Sequence, residues 1–288
     1  MNQINLFIEL IRLKKPIGYM LLFWPCMWGL SLAYDFSNGL NSYFFYTLLF
    51  FLGSVLMRSA GCIVNDISDK DFDKKVSRTK NRPIATGKIS TKLALIYATT
   101  LCFFSFLILI NFNFLTIVLA IASMPLAFGY PLMKRFTYWP QLFLGFTFNY
   151  GLILGWTSIV NQINLVPILF YFGAVFWTLG YDTIYGFQDI KDDEIIGVKS
   201  TSIKFKKKSN SFLIMCYSIF ILSTLMVGIL MHFSIIFFIF LLIPFIHLIF
   251  YQIIKLDINN PNNCLKIFKS NNFFGSLILI NILIGKFF

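Results

Sequence analysis

Residues 42–64 read SYFFYTLLFFLGSVLMRSAGCIV, and residues 65–73 continue NDISDKDFD. The first segment is 23 residues long and holds one charge, Arg58. At 1.5 Å per residue a helix of that length spans the roughly 30 Å hydrocarbon layer of a bilayer. It then runs straight into four aspartates, Asp66, Asp69, Asp71 and Asp73. The fold and the chemistry both follow from that junction of an apolar span with a carboxylate cluster.

Applied outward along the chain, the same ruler marks nine candidate spans, near 16–34, 42–64, 92–111, 114–133, 138–160, 164–186, 211–231, 234–254 and 271–287. Only Asn111, Phe112 and Asn113 separate the third from the fourth. Composition agrees: 58% of the 288 residues are hydrophobic, 36 are Phe, only 12% are charged, and mean hydropathy is +0.76. A soluble domain carries about twice that charge fraction, so an aqueous globular protein is excluded and an all-α membrane protein is expected, as one polytopic domain over 1–288. The five cysteines lie far apart without a C-x-x-C pair, so no zinc or disulfide framework is indicated. The first apolar run is read as a retained span, since no small-residue cleavage site precedes Asp35. Without a recognisable transit peptide the expected location is a bacterial inner membrane.

The formal charge of +12 would suggest nucleic acid in a soluble protein. Here the cations alternate with the spans. Of 24 Lys and Arg, 22 fall before the first span or after the second, fourth, sixth and eighth, all on one side. Loops around Asp35, Asn113, Asn161 and His232 carry none. The positive-inside bias therefore predicts a cytoplasmic amino terminus and a periplasmic carboxyl terminus, and no nucleic-acid partner. Lysine runs such as Lys204 to Lys208 are accounted for as topology signals. Pro125, Pro131, Pro167 and Pro244 are expected to kink their helices.

Topology needs cations, not acids, yet nine of the twelve acidic residues form two clusters at inside ends of spans. Asn65-Asp66-x-x-Asp69-x-x-x-Asp73 puts Asp66, Asp69 and Asp73 on one helical face, with Asn65 one turn from Asp69. Asp182, Asp189 and Asp193 share a face of the second cluster. Asp189 and Asp193 lie 120 residues after Asp69 and Asp73, which reads as an internal repeat: two four-helix halves plus a ninth helix. Converging carboxylates call for a hard divalent ion such as Mg²⁺, which shares its coordination with substrate phosphates. Arg78 and Arg82 offer bidentate phosphate contacts nearby. Arg58, two turns deeper on the aspartate face, needs an anion of its own. A diphosphate bridging Asp-bound metals is the economical reading; a solvated charged loop is the alternative.

These motifs resemble the UbiA superfamily of intramembrane aromatic prenyltransferases. Its first motif is matched by Asn65-Asp66-x-x-Asp69-x-x-x-Asp73 and its second by Asp189-x-x-x-Asp193. The branch acting on 4-hydroxybenzoate is suggested by Lys15-Pro16-Ile17-Gly18 with Leu22-Phe23-Trp24-Pro25, by Gly129-Tyr130-Pro131-Leu132-Met133-Lys134-Arg135, and by Tyr181-Asp182-Thr183-Ile184-Tyr185. The resemblance implies nine transmembrane helices and Mg²⁺ held by Asp66, Asp69, Asp73, Asp189 and Asp193 with Asn65 assisting. It implies a polyprenyl diphosphate donor whose allylic cation is attacked by the ring carbon beside the acceptor hydroxyl, in ubiquinone biosynthesis, with no obligate protein partner. Arg58, Arg78, Arg82, Tyr130 and Lys134 are then donor-binding residues. Arg135 is expected to hold the acceptor carboxylate, with Lys134 able to exchange roles with it, and Asp182 either orients the acceptor or pairs with Arg135. Other acceptors of the same superfamily (haem, a naphthoate, homogentisate) stay open. A CDP-alcohol phosphatidyltransferase lacks its D-G-x-x-A-R pattern here. A cation-coupled transporter would place its acids near mid-membrane.

Overall fold

A computed structural model describes residues 2–288. The described residues are helical and contain no strand. Eight helices are long and apolar enough to cross a membrane: α2 (Asn41–Ser68), α3 (Thr91–Leu109), α4 (Phe114–Arg135), α5 (Pro140–Val160), α6 (Leu165–Gly186), α7 (Lys206–Leu230), α8 (Ile235–Ile254) and α9 (Pro261–Phe287). A shorter apolar helix, α1 (Ile17–Ala33), precedes them and contains Pro25. A short amino-terminal helix, Gln3–Leu10, lies ahead of α1.

Local chemistry sets the boundaries. The narrow split between α3 and α4 is real because the Asn113 side chain accepts from the amide of Thr116 at 3.0 Å, capping α4. The last helix begins at Pro261, ten residues before the hydropathy signal at 271: Asn260 accepts from the amides of Asn262 and Asn263, and Pro261 takes the first helical position. Its polar first turns, with Lys266 and Lys269, had hidden it from an apolar ruler. α4 breaks after Ala122 before Pro125 and tightens into a 3-10 turn over Tyr130–Arg135, where Pro131 sits. α8 breaks near Pro244 and widens over His247–Ile254. Pro167, expected to kink its helix, leaves α6 unbroken. It sits in the first turn, where no intrahelical acceptor awaits its missing amide.

Small residues bring α1 and α5 together. A Cβ at Gly29 would strike the Leu152 carbonyl, and one at Gly155 the Cys26 carbonyl, so the two backbones touch. α9 closes against α1 through Trp24 Nε1, which donates to Asn272 Oδ1 at 3.0 Å, and Trp28 Nε1, which donates to the Gly275 carbonyl at 3.0 Å. Trp28, Phe170, Trp177, Phe220 and Phe274 form the aromatic centre of the core. Beside it Tyr217 donates to Gln252 at 2.6 Å, while Gln252 and Trp177 both donate to Asn271 Oδ1 at 2.9 Å. That buried network fixes the register of α6, α7, α8 and α9. The aliphatic and Phe side chains left exposed on α3, α4 and α8 face outward, as lipid contact requires.

Candidate active site

α2 delivers the first acid cluster. Its helix ends at Ser68, Asp69 forms the junction, and a short helix Lys70–Asp73 follows. Asn65 Nδ2 donates to Asp69 Oδ2 at 3.1 Å, the one-turn spacing expected from sequence. Asp66, Asp69 and Asp73 are all buried. Buried carboxylates require partners, and the chain supplies its own cations. Arg82 Nη1 lies 3.0 Å from Asp66 Oδ1 and 2.7 Å from Asp73 Oδ2. Lys134 Nζ, from the end of α4, reaches Asp69 Oδ2 at 2.6 Å. Arg12 pairs with Asp66 as well.

The second cluster follows α6. Arg78 Nε donates to both oxygens of Asp189, at 2.8 and 3.0 Å, and the backbone amide of Ser77 donates to Asp192 Oδ2 at 2.8 Å. These contacts cross from the loop after α2 to the loop after α6, so the structure brings the two clusters together. Asp193 makes no ion pair among the described residues. Burial first, and then the neighbouring Asp189 charge, push its carboxyl up to about 7. Burial also raises Asp69, outweighing the attraction of Lys134.

Arg58 and Asp182 sit deeper. Arg58 has no ion-pair partner among the described residues; its guanidinium lies 5.2 Å from the Phe148 ring centre and against Gly18, beside Tyr130. Asp182, on α6, lies within electrostatic reach of Arg58. Arg58 and Tyr130 stand at the head of an apolar cavity of about 290 Å³ that runs between α1, α2, α3, α4 and α5 toward Phe112.

Two expectations change. The carboxylates do not converge on a shared point: among the described residues no three His, Cys, Asp or Glu side chains stand close enough to hold one ion. The side chains of Arg12, Arg82, Lys134 and Arg78 stand between them, because uncompensated buried carboxylates draw the nearest cations. The donor set nevertheless suits a hard divalent ion. It is all oxygen, and Asp69 Oδ1 is buried with no hydrogen-bond partner. Arg135, expected at the acceptor, is exposed instead; its guanidinium donates to the Ser68 carbonyl at 2.6 Å and covers the Phe72 ring, and it makes no pair with Asp182.

Arg12 is the residue that sequence reasoning missed. By position it is one of the orienting cations, yet its backbone is left-handed, φ 55°, and its side chain pairs with Asp66 in the acid cluster. Its being one of only five arginines in a lysine-rich chain was the available signal. Tyr185 lies under Arg78, 5.3 Å from ring centre to guanidinium, while Tyr181 is buried among Trp177 and Phe268 and donates nothing to the site.

Residues 22–278 match the UbiA prenyltransferase family. The chain belongs to that family. Among curated UbiA relatives, the mitochondrial 4-hydroxybenzoate polyprenyltransferase of Bos taurus is 42% identical over 282 residues, covering 97% of this chain and 75% of the relative. The 4-hydroxybenzoate geranyltransferase 2 of Lithospermum erythrorhizon is 39% identical over 291 residues, covering 100% of this chain and 92% of its own. Solved structures share the UbiA fold at low identity. A UbiA homolog from Aeropyrum pernix K1 superposes with a TM-score of 0.76 at 20% identity, over 93% of this chain and 98% of that one. A UbiA homolog from Archaeoglobus fulgidus bound to GPP and Mg²⁺ gives 0.71 at 17% identity, over 96% and 98%.

Proposed function

We propose that this protein transfers a polyprenyl group from polyprenyl diphosphate to the ring carbon beside the hydroxyl of 4-hydroxybenzoate, releasing diphosphate, in ubiquinone biosynthesis. The observation that carries this is the stacking of three environments along one axis. Two acid clusters with four cations lie at the rim, an unpaired arginine lies below them, and an apolar cavity lies below that. A diphosphate, a small anionic aromatic acid and an isoprenoid tail fit those environments in that order. The relatives named for 4-hydroxybenzoate support the acceptor.

Mg²⁺, supported by its presence with GPP in the Archaeoglobus fulgidus homolog, supplies positive charge for the diphosphate as it leaves. Asp66, Asp69, Asp73, Asp189 and Asp193 would hold it, with Asn65 fixing Asp69. Arg78, Arg82 and Lys134, now paired with those carboxylates, turn to phosphate oxygens when the donor arrives. Tyr130 closes the head of the cavity over the allylic carbon. Arg58, rather than Arg135, takes the acceptor carboxylate, since it is half-buried with no anion paired to it, whereas Arg135 is exposed and already donates to the Ser68 carbonyl. Asp182, facing Arg58 from α6, orients the acceptor hydroxyl. The bond from the ring carbon to the allylic carbon forms as the allylic C–O bond to diphosphate breaks, and loss of the ring proton to water then restores aromaticity.

The whole chain acts as one domain in this reading, with α1 counted as a ninth span, two four-helix halves and α9 closing them. The acid clusters face the cytoplasm in a bacterial inner membrane; the mitochondrial names of the relatives make the matrix face of a mitochondrial membrane the alternative. Reporters fused after Asn161 and Lys208 should report opposite sides; the same side would refute the topology. The acceptor is tested by competition. Membranes supplied with Mg²⁺ and geranyl diphosphate should prenylate 4-hydroxybenzoate in preference to a dihydroxynaphthoate or homogentisate, and preference for either of those would overturn the assignment.

A further inference from the structure

The seam between α8 and α9 carries a second group of cations, apart from the acid clusters. Phe268 of α9 packs 4.4 Å from Tyr185, the ring under Arg78, so the first turns of α9 lie on the acid-cluster side of the membrane. α8 runs antiparallel to α9, and three contacts fix the register. The His247 ring lies 5.9 Å from Phe273, Gln252 donates to Asn271 at 2.9 Å, and Asn263 Nδ2 donates to the Lys255 carbonyl at 3.1 Å. That register sets Lys269 across from Tyr251 and Lys266 across from Lys255. All three lysines are exposed, and none has an ion-pair partner among the described residues. Asp257, in the loop between the helices, is engaged with its own backbone, accepting from the Asn259 amide at 3.0 Å. Below the lysines the seam is aromatic. Lys255 Nζ lies 5.4 Å from the Tyr251 ring centre, and Tyr251 stacks on His247 at 5.4 Å. α8 is wound as a π-helix over these residues, a conformation that recurs at functional sites. Phe250, Ile254 and Phe273 are exposed beside it and carry the seam's apolar surface deeper into the hydrocarbon layer.

We infer that this seam binds an anionic phospholipid of the adjoining leaflet, its head group held by Lys255, Lys266 and Lys269 and an acyl chain laid along Tyr251, Phe250 and Phe273. Orientation in the membrane needs cations on this side, but it does not need them gathered from two helices above one aromatic wall. A basic pocket between spans is the form that recognition of acidic lipid head groups takes. Three cations without an acid exceed the charge of a single phosphate, so the best fit is a head group with two, as in diphosphatidylglycerol. The apolar cavity is walled by α1 to α5, so a lipid on α8 and α9 does not compete with a ligand there. A soluble diphosphate would leave the aromatic wall uncovered.

Lipid retention by the purified full chain tests this. Native mass spectrometry of protein equilibrated in detergent with tetraoleoyl diphosphatidylglycerol and dioleoyl phosphatidylcholine should show the anionic lipid bound in preference. A lysine beside an anionic lipid surface is worth about fivefold in affinity, so the combined Lys255→Gln, Lys266→Gln and Lys269→Gln variant should lose bound diphosphatidylglycerol at least about tenfold. The combined Lys204→Gln, Lys207→Gln and Lys208→Gln variant removes equal charge from the same side and should stay within about twofold. An equal fall in both variants, or none in the first, overturns the site. Displacement of the lipid by inorganic diphosphate alone would make this a soluble-anion site and overturn the lipid assignment. A second measurement keeps the lysines intact. In phosphatidylcholine vesicles, the fluorescence that Phe273→Trp adds should be quenched at least about twofold more by brominated diphosphatidylglycerol than by brominated phosphatidylcholine at the same low mole fraction. Equal quenching by the two lipids contradicts a seat at this seam.

Discussion

Arg78 holds Asp189 with its Nε 2.8 Å from Oδ1 and 3.0 Å from Oδ2, and the two residues come from loops 111 positions apart. This pair closes one half of the rim over the other. It also puts a phosphate-seeking guanidinium and a metal-seeking carboxylate in each other's grip until a donor and its ion separate them. Asp189→Ala should lower turnover at least about a hundredfold, the scale of losing an electrostatic catalytic group, and Asp69→Ala should do the same. Membrane insertion and detergent-extracted mass should not change. Activity retained in either variant removes that residue from the metal set.

Asp193 sets a pH dependence in protein stripped of divalent ions. Its carboxyl is raised from 3.8 to about 7 by burial and by Asp189. Between those values the unfolded chain has released this proton while the folded chain keeps it. Folding stability contributed by this group therefore falls as pH rises through the window and levels off above it. In EDTA the apparent Tm should decline from pH 5 to 7. Asp193→Asn should flatten that decline, and Mg²⁺ should reverse it above pH 7. A slope unchanged by the substitution would show that Asp193 does not titrate there.

Arg58 and Arg135 should separate in steady-state kinetics. Arg58→Ala removes the unpaired cation at the cavity head and should raise KM for 4-hydroxybenzoate at least about tenfold, in keeping with the loss of one charge-assisted contact of about 1.5–3 kcal/mol. KM for the donor should move far less. Arg135→Ala, which loses a bond to the Ser68 carbonyl at the rim, should leave the acceptor KM within about threefold. The opposite pattern would restore Arg135 to the acceptor.

The contact of α1 with α5 is a packing prediction. A Cβ at Gly155 would fall on the Cys26 carbonyl, which is backbone and cannot move aside. Gly155→Val should cost at least about 1–3 kcal/mol and shift the detergent-solubilised protein toward aggregate on size exclusion. Gly53, with open space around it, should accept alanine without loss.

Much of this was legible in the sequence because the bilayer imposes one ruler. Hydropathy placed α2, α5 and α6 within a few residues, and Asn65 and Asp69, one turn apart in sequence, meet through a hydrogen bond. It missed the first ten residues of α9, since Lys266 and Lys269 belong to a helix that emerges from lipid. The acidic motifs announced a charge problem but not its resolution. Which of Arg12, Arg78, Arg82 and Lys134 answers which aspartate depends on loops folding back across the rim, and spacing along the chain does not encode that. Arg135 and Lys134 are neighbours in sequence, yet the 3-10 turn over Tyr130–Arg135 sends one to Asp69 and the other to Ser68. The cavity was illegible because its walls come from five helices, α1 to α5, whose mutual placement no spacing along the chain encodes.

The most direct test of the central claim is transfer itself. Membranes containing the protein are incubated with ring-labelled 4-hydroxybenzoate, geranyl diphosphate and Mg²⁺, and the label is partitioned into organic solvent. Label should appear in a product prenylated at the carbon beside the hydroxyl, with loss of the signal in EDTA and in Asp69→Ala. Absence of any lipid-soluble labelled product, under conditions where the Bos taurus relative forms it, would contradict the account.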